Sequence, residues 1–214
     1  MIVLAELADV ICEGYIDDII LHGQDDSDLL VNLRQVFERC RQYRIAFKPK
    51  KSKIGLDRID WVGRQLDADG IHFSAEQLSE VTEFPTPVGA KGLRSFLGLA
   101  NYFRDHVRHY ADKERPMRDV LTKHDKSKKF QWSEFAERGF REMQVAICNC
   151  AKLYFLKDDP DAQIILRTDA SDYGYGAYLC QIVGDREYPV LFMSKSFHGA
   201  ELNWKLKIKN AGDI

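Results

Sequence analysis

The tetrapeptide Tyr15-Ile16-Asp17-Asp18 constrains this chain more than any other stretch. It opens "YIDDIILHG", a run of Tyr, Ile and Leu that suits a half-buried strand. Two adjacent carboxylates cannot simply continue such a strand. Successive strand residues face opposite sides, so one acid would enter the core whichever way the strand turned. The pair fits a bend, with "ICEGY" and "IILH" as the arms of a hairpin. Taken alone, that tip has two readings. It is a solvent-facing turn, where Asp is common, or a carboxylate pair for a hard cation such as Mg²⁺, which takes one or two protein carboxylates.

Charge is patterned even though the net value is only -2. Residues 1–33 hold eight acids and no Lys or Arg, whereas 34–64 hold ten bases against three acids. Residues 65–90 add five acids, and 91–129 add eleven bases against five acids. Two basic blocks between acidic ones suit either a nucleic-acid groove or solvated helix faces. The start, "MIVLAELADVICEG", is apolar and helical in cadence, but it carries Glu6, Asp9 and Glu13 and lacks a basic leader. Neither a signal peptide nor a membrane span is expected, which makes a reducing, intracellular setting the default. Five scattered cysteines indicate neither a disulfide framework nor a zinc site.

Periodicity divides the chain. Leu29, Leu33, Val36, Phe37, Cys40 and Tyr43 predict an amphipathic helix, started by Ser27 and ended by Lys48-Pro49. "IDWVGRQL" and "GIHFS" read as strands around a turn in which Gly70 supplies a positive φ. "FPTP" at 84–87 breaks regular structure. Leu93, Phe96, Leu97, Ala100, Phe103, Val107 and Tyr110 form a helical stripe, and the stripe at Phe96, Leu97, Leu99 and Phe103 is packing. A shorter helix is expected from Pro116, and another from Ser133, with Ala136, Phe140, Met143 and Ile147 inward. From Gln163 onward a three-strand meander follows.

These segments, in this order, resemble the reverse transcriptase–RNase H region of gypsy-type LTR retrotransposon Pol polyproteins. Tyr15-Ile16-Asp17-Asp18 resembles the polymerase signature, and "WVGRQLDADGIHFS" the primer-gripping hairpin. "FPTPVGAKGLRSFLGLANYFRDHVRHYADKERPMRDVL" is similar to the thumb and its continuation. "FQWSEFAERGFREMQ" resembles the lead into RNase H, and "ILRTDASDYGYGAYLCQ" its first hairpin.

The resemblance implies an α+β fold: a partial palm sheet with helices, a helical thumb, and the first strands of an RNase H-like domain. The segments would be 1–84 (palm and primer grip), 85–130 (thumb), 131–160 (connection) and 161–214 (RNase H-like). It implies RNA-directed DNA polymerase and ribonuclease H chemistry with two Mg²⁺ ions, on an RNA template, a DNA primer and an RNA–DNA hybrid. Asp17, Asp18 and Asp169 would be catalytic metal ligands, and Tyr15, Trp61, Val62 and Gly63 would contact the primer.

Departures from the family pattern qualify this. The family's upstream polymerase aspartate has no counterpart in the fourteen residues before Tyr15. Asn210 falls near the place of the RNase H glutamate, and Glu201 is not that ligand. The isolated chain is therefore expected to catalyse neither reaction and to dissolve poorly, with exposed sheet edges and apolar faces. The alternative reading is a nucleic-acid-binding remnant without turnover, using the basic residues around Arg39–Lys53 and Arg94–Lys129.

Overall fold

The computed structural model describes residues 2–4, 6–127, 129–171, 173–197 and 201. The chain divides into two compact units, Met1–Ala68 and Asp69–Ile214.

In the first unit, a short 3-10 helix at Ile2–Leu4 and turns take the place of the helix expected over 2–11. β1 (Cys12–Tyr15) and β2 (Asp18–Leu21) pair antiparallel, Tyr15 opposite Asp18, so the expected hairpin is present with Ile16-Asp17 as a two-residue turn. α1 runs Asp26–Gln42. Its N-cap is Asp25, whose carboxylate accepts from the Asp28 N–H at 2.9 Å, rather than Ser27. It also stops well short of Lys48-Pro49, because Arg44 turns at φ 57°. Val36 and Cys40 of α1 pack with Leu4 and Cys12 to form a small core, while Phe37 and Tyr43 stay exposed. β3 (Arg58–Trp61) and β4 (Arg64–Asp67) form a second tight hairpin. The run expected as one strand thus reverses at Val62-Gly63, where both central residues have positive φ (49° and 72°).

The second unit begins with β5 (Gly70–His72), paired to the short β6 (Leu153–Tyr154). Gly70 is needed there for space rather than for a left-handed turn. A Cβ on it would lie 1.9 Å from the Leu153 carbonyl oxygen. α2 (Ala75–Thr82) follows, absent from the sequence reading although Ser74 and Gln77 form a reciprocal capping box. α3 (Ala90–Asn101) carries most of the expected stripe, which continues through a 3-10 turn at Arg104–His106 into α4 (Tyr110–Ser127). The stripe is buried as expected, but over three pieces.

Pro116 is the seventh residue of α4, not an early one. A proline there removes one backbone hydrogen bond, typically at about 3 kcal/mol or more. Packing offsets this: α5 (Glu134–Cys148), capped by Ser133 as expected, presents Gly139, where even a Cβ would come within 3.0 Å of the proline ring. Phe96 and Phe140, both fully buried, meet at 4.5 Å between ring centroids in a core that also takes in Phe73, Val81 and Phe103. The meander is present as β7 (Gln163–Ala170), β8 (Gly174–Val183) and β9 (Arg186–Ser196), in that spatial order. Ile164, Leu166, Leu191 and Met193 are exposed.

Candidate functional site

The sequence-predicted residues fall in three places, and each unit is treated by itself. The first place is the β1–β2 tip. Ile16 has φ 56° and is 85% exposed. A two-residue hairpin turn of this kind wants glycine at its first central position, because its twist matches that of the strands. A β-branched residue there is strained, at roughly 1–3 kcal/mol. Asp17 sits in the turn and Asp18 opens β2. Both are exposed, so the pair does not interrupt a buried strand and carries no desolvation cost. Tyr15, its neighbour across the turn, is also exposed. Among the described residues neither the Asp17 nor the Asp18 carboxylate has an ion-pair or hydrogen-bond partner.

The second place is the β3–β4 tip. Trp61 is half-buried at the end of β3, and Val62 and Gly63 form the turn. Val62, at φ 49° and 41% exposed, is a second β-branched residue in a left-handed conformation at a hairpin tip. Both tips expected to handle nucleic acid therefore hold their shape against local preference.

The third place is the sheet of the second unit. Asp169 pairs with Gly176, which pairs with Ser194, so the three form one row across β7, β8 and β9. Glycine in the middle leaves that row open beside Asp169. The backbone N–H of Ala111, in the first turn of α4, donates to Ser194 Oγ at 3.0 Å and ties the helix to the sheet. Arg104 supports the same junction: it donates to the Ser194 carbonyl at 2.9 Å and pairs with the buried Glu114 at 3.2 Å. Between helix and sheet lies a cleft of about 140 Å³, lined among others by Asp169, Arg108 and Arg115. Arg167, paired with Tyr178 in the next row, forms a two-pronged pair with Glu187, at 3.0 Å on each prong, and Tyr178 donates to Glu187 at 2.7 Å. The Arg167 guanidinium first, then the Tyr178 hydroxyl, hold the Glu187 carboxyl down at about 2. The sequence places Arg108, in the turn before α4, and Arg115, in α4, only within the broad basic block Arg94–Lys129, because nothing local in "FRDHVRHYADKER" separates a cleft-lining Arg from a solvated one; only the packing of α4 on β9 does.

The two acidic places differ in their fitness for a metal. Asp17 and Asp18 offer the one or two carboxylates that Mg²⁺ takes from a protein, with no competing cation recorded beside them. Asp169 shares its cleft with Asp112 and with Arg108, Arg115 and Arg167, and no group of three or more His, Cys, Asp or Glu suited to a metal occurs among the described residues. Asn210, near the place of the family's RNase H glutamate, lies outside the described residues. Among the described residues, no helix is long and apolar enough to cross a membrane.

Comparison with known proteins adds the following. Residues 132–211 match the RNase H-like domain found in reverse transcriptase. The chain is 26% identical over 189 residues to the retrovirus-related Pol polyprotein from transposon 412 of Drosophila melanogaster, covering 88% of this chain and 15% of that one. It is 28% identical to that of transposon opus from the same fly, covering 94% and 21%. A transposon Tf2-3 polyprotein of Schizosaccharomyces pombe is 25% identical, covering 96% and 15%. The chain thus spans between 15% and 21% of the length of these relatives. The foamy viral protease–reverse transcriptase in complex with an RNA/DNA hybrid shares the fold, with a TM-score of 0.72 at 20% identity over 97% of this chain and 27% of that one. A second structure of that protein, in complex with double-stranded DNA, gives 0.73.

Proposed function

We propose, on the premise that this chain resembles the reverse transcriptase–RNase H region of retrotransposon Pol polyproteins, that it holds primer and template for RNA-directed DNA synthesis. The observation that carries this reading is the pair of strained two-residue hairpins at Ile16 and Val62. Backbone strain persists only where the surrounding structure over-determines it, and such residues cluster at functional sites. In this reading, Asp17 and Asp18 hold Mg²⁺, which when bound polarises the attacking and leaving oxygens of nucleotidyl transfer. Tyr15 lies beside the primer end, and Trp61, Val62 and Gly63 grip the primer strand. The functional segments are 1–84 for palm and primer grip, 85–130 for thumb, 131–160 for connection and 161–214 for the RNase H-like part. All five cysteines are free, which suits a reducing intracellular setting.

Two carboxylates are fewer than a two-metal centre uses. The purified chain alone is accordingly expected to bind an RNA–DNA hybrid without extending its primer. A second reading, nucleic-acid binding without any catalytic part, draws on residues 41–53. Arg41, Arg44, Lys48, Lys50, Lys51 and Lys53 are exposed there, with no acid between them. Primer extension with Mg²⁺, run beside fluorescence anisotropy on a labelled hybrid, tests both readings. Binding that weakens steeply with salt supports nucleic-acid handling. Extension by the isolated chain overturns its expected inactivity, and failure to bind at low salt overturns both readings. If a chain supplying the missing palm residues restores extension, Asp17→Asn should abolish it under the first reading and change nothing under the second.

A further inference from the structure

We propose that the cleft between the first turns of α4 and the Asp169 row of the sheet is a phosphate-binding subsite, with Arg108 and Arg115 as its donors. The proposal rests on the nucleic-acid reading above for the source of the phosphate, a backbone phosphodiester, but not for the subsite itself.

The argument begins with how the cations are held. Arg167 is committed to Glu187 by two hydrogen bonds, and Lys195 pairs with Glu201 at 3.7 Å. Arg108 and Arg115 are held differently. The Arg115 guanidinium lies 4.1 Å from the centroid of the Tyr173 ring, and that of Arg108 lies 5.9 Å from Tyr178. Among the described residues, neither has a carboxylate partner. An aromatic face positions a guanidinium while leaving its N–H edge free to donate. That edge is a planar fork matched to phosphate oxygens.

Asp169 sits in the same cleft without an ion pair to either arginine, so the arginines are not there to neutralise it. Four cationic side chains, Arg108, Arg115, Arg167 and Lys195, line the cleft against two carboxylates, Asp112 and Asp169, and this excess of positive charge disfavours a divalent cation and favours an anion. The cleft of about 140 Å³ has room for a phosphate group and its hydration. The open Asp169–Gly176–Ser194 row supplies the floor.

The test uses the full chain in EDTA, with a labelled RNA–DNA hybrid and, separately, inorganic phosphate as probes. Replacing both arginines by alanine should weaken hybrid binding about tenfold and lower the slope of log affinity against log salt by about one, for the one phosphate no longer neutralised. Asp169→Asn keeps the side chain's size and removes a negative charge facing the anion, so it should tighten hybrid binding about threefold. An unchanged affinity in an alanine variant that melts like wild type overturns the subsite, as does weaker binding by Asp169→Asn. If the wild type does not bind the hybrid at all, the nucleic-acid reading falls and phosphate decides the rest. Phosphate-induced shifts of the Tyr173 ring signals that vanish in the alanine variant uphold the subsite, and their absence from wild type overturns it.

Discussion

The two compact units of this chain spend their apolar residues differently. The second joins Phe73, Phe96, Phe103 and Phe140, with Leu93, Met117, Met143 and Ile147, in one core. The first has Leu4, Cys12, Val36 and Cys40, and carries strained residues at two exposed hairpin tips. A thin core lowers the cost of local opening, and elements that handle ligands are drawn from that end of the stability range. A substitution should therefore act through lost packing in the second unit and through backbone relief in the first, with opposite signs.

The largest expected effect tests the packed side of that contrast. Phe140→Ala removes a fully buried ring that touches Phe96 and Trp132, and should destabilise by about 3–5 kcal/mol. Urea denaturation followed by tryptophan fluorescence measures it, since Trp132 reports from the rim of the same core. A loss below about 1 kcal/mol would mean that this core is not the chain's main store of stability.

Gln144→Ala should rank next. The buried Gln144 amide donates to the carbonyls of Val81, Thr82 and Phe84 at 2.9, 3.1 and 3.0 Å, and so satisfies the end of α2 and the start of the "FPTP" loop from α5. Removing it leaves buried acceptors without that donor, at about 1–3 kcal/mol. Gln144→Glu, which loses the donating amide but keeps the shape, should cost at least as much by thermal melting. If it melts like wild type, the contact is incidental.

Much of this was legible in the sequence, and the misses share a cause. The acidic pair had to be at a bend because period-two geometry left no other place for it, and the structure puts Ile16-Asp17 in that turn. The stripes through Phe96 and Phe140, the Ser133 cap and the three-strand meander were likewise written in local periodicity and capping chemistry. Strand pattern says nothing about which hairpin ends reach solvent, and the structure leaves Asp17 and Asp18 exposed. The Val62-Gly63 reversal hid because a β-branched residue argues against positive φ. The role of Gly70 hid because its crowding comes from Leu153, far along the chain. Pro116 looked like a helix start because the Gly139 surface that accommodates it lies on another helix. Only α2 was missed despite a readable signal, the Ser74–Gln77 box.

A smaller effect of opposite sign tests the strained side. In Ile16→Gly the left-handed turn no longer costs the roughly 1–2 kcal/mol that a side chain pays there. Glycine gives back part of this through unfolded-state entropy, roughly 0.5–1 kcal/mol. The net expectation is a first unit more stable by about 0.5–1 kcal/mol, read as slower amide exchange in β1 and β2. Faster exchange would show that Ile16 is held by packing and would erase the contrast between the units. If a complemented polymerase also slows in this variant, the strain serves the position of Asp17.

The smallest expected effect concerns a surface fastening outside either core. Glu187 is held at about 2, below its ordinary 4.5, first by Arg167 and then by Tyr178. A depressed carboxyl contributes stability that is fully present above the ordinary value and is lost as pH falls through the folded one. The grip of β9 on β7 across the sheet should therefore weaken between pH 4.5 and about 2 and stay constant above that window. Since both side chains are substantially exposed, solvent and salt screen the pair, and its contribution is a minor fraction of what Phe140 supplies. The measurement is the difference in melting temperature between wild type and Glu187→Gln, followed from pH 6 downward. That difference should be small at pH 6 and vanish near pH 2, and 0.5 M salt should shrink it at every pH. A difference that survives at pH 2 would mean that Glu187 acts through packing, and that the edge of the meander is held as the helical core is.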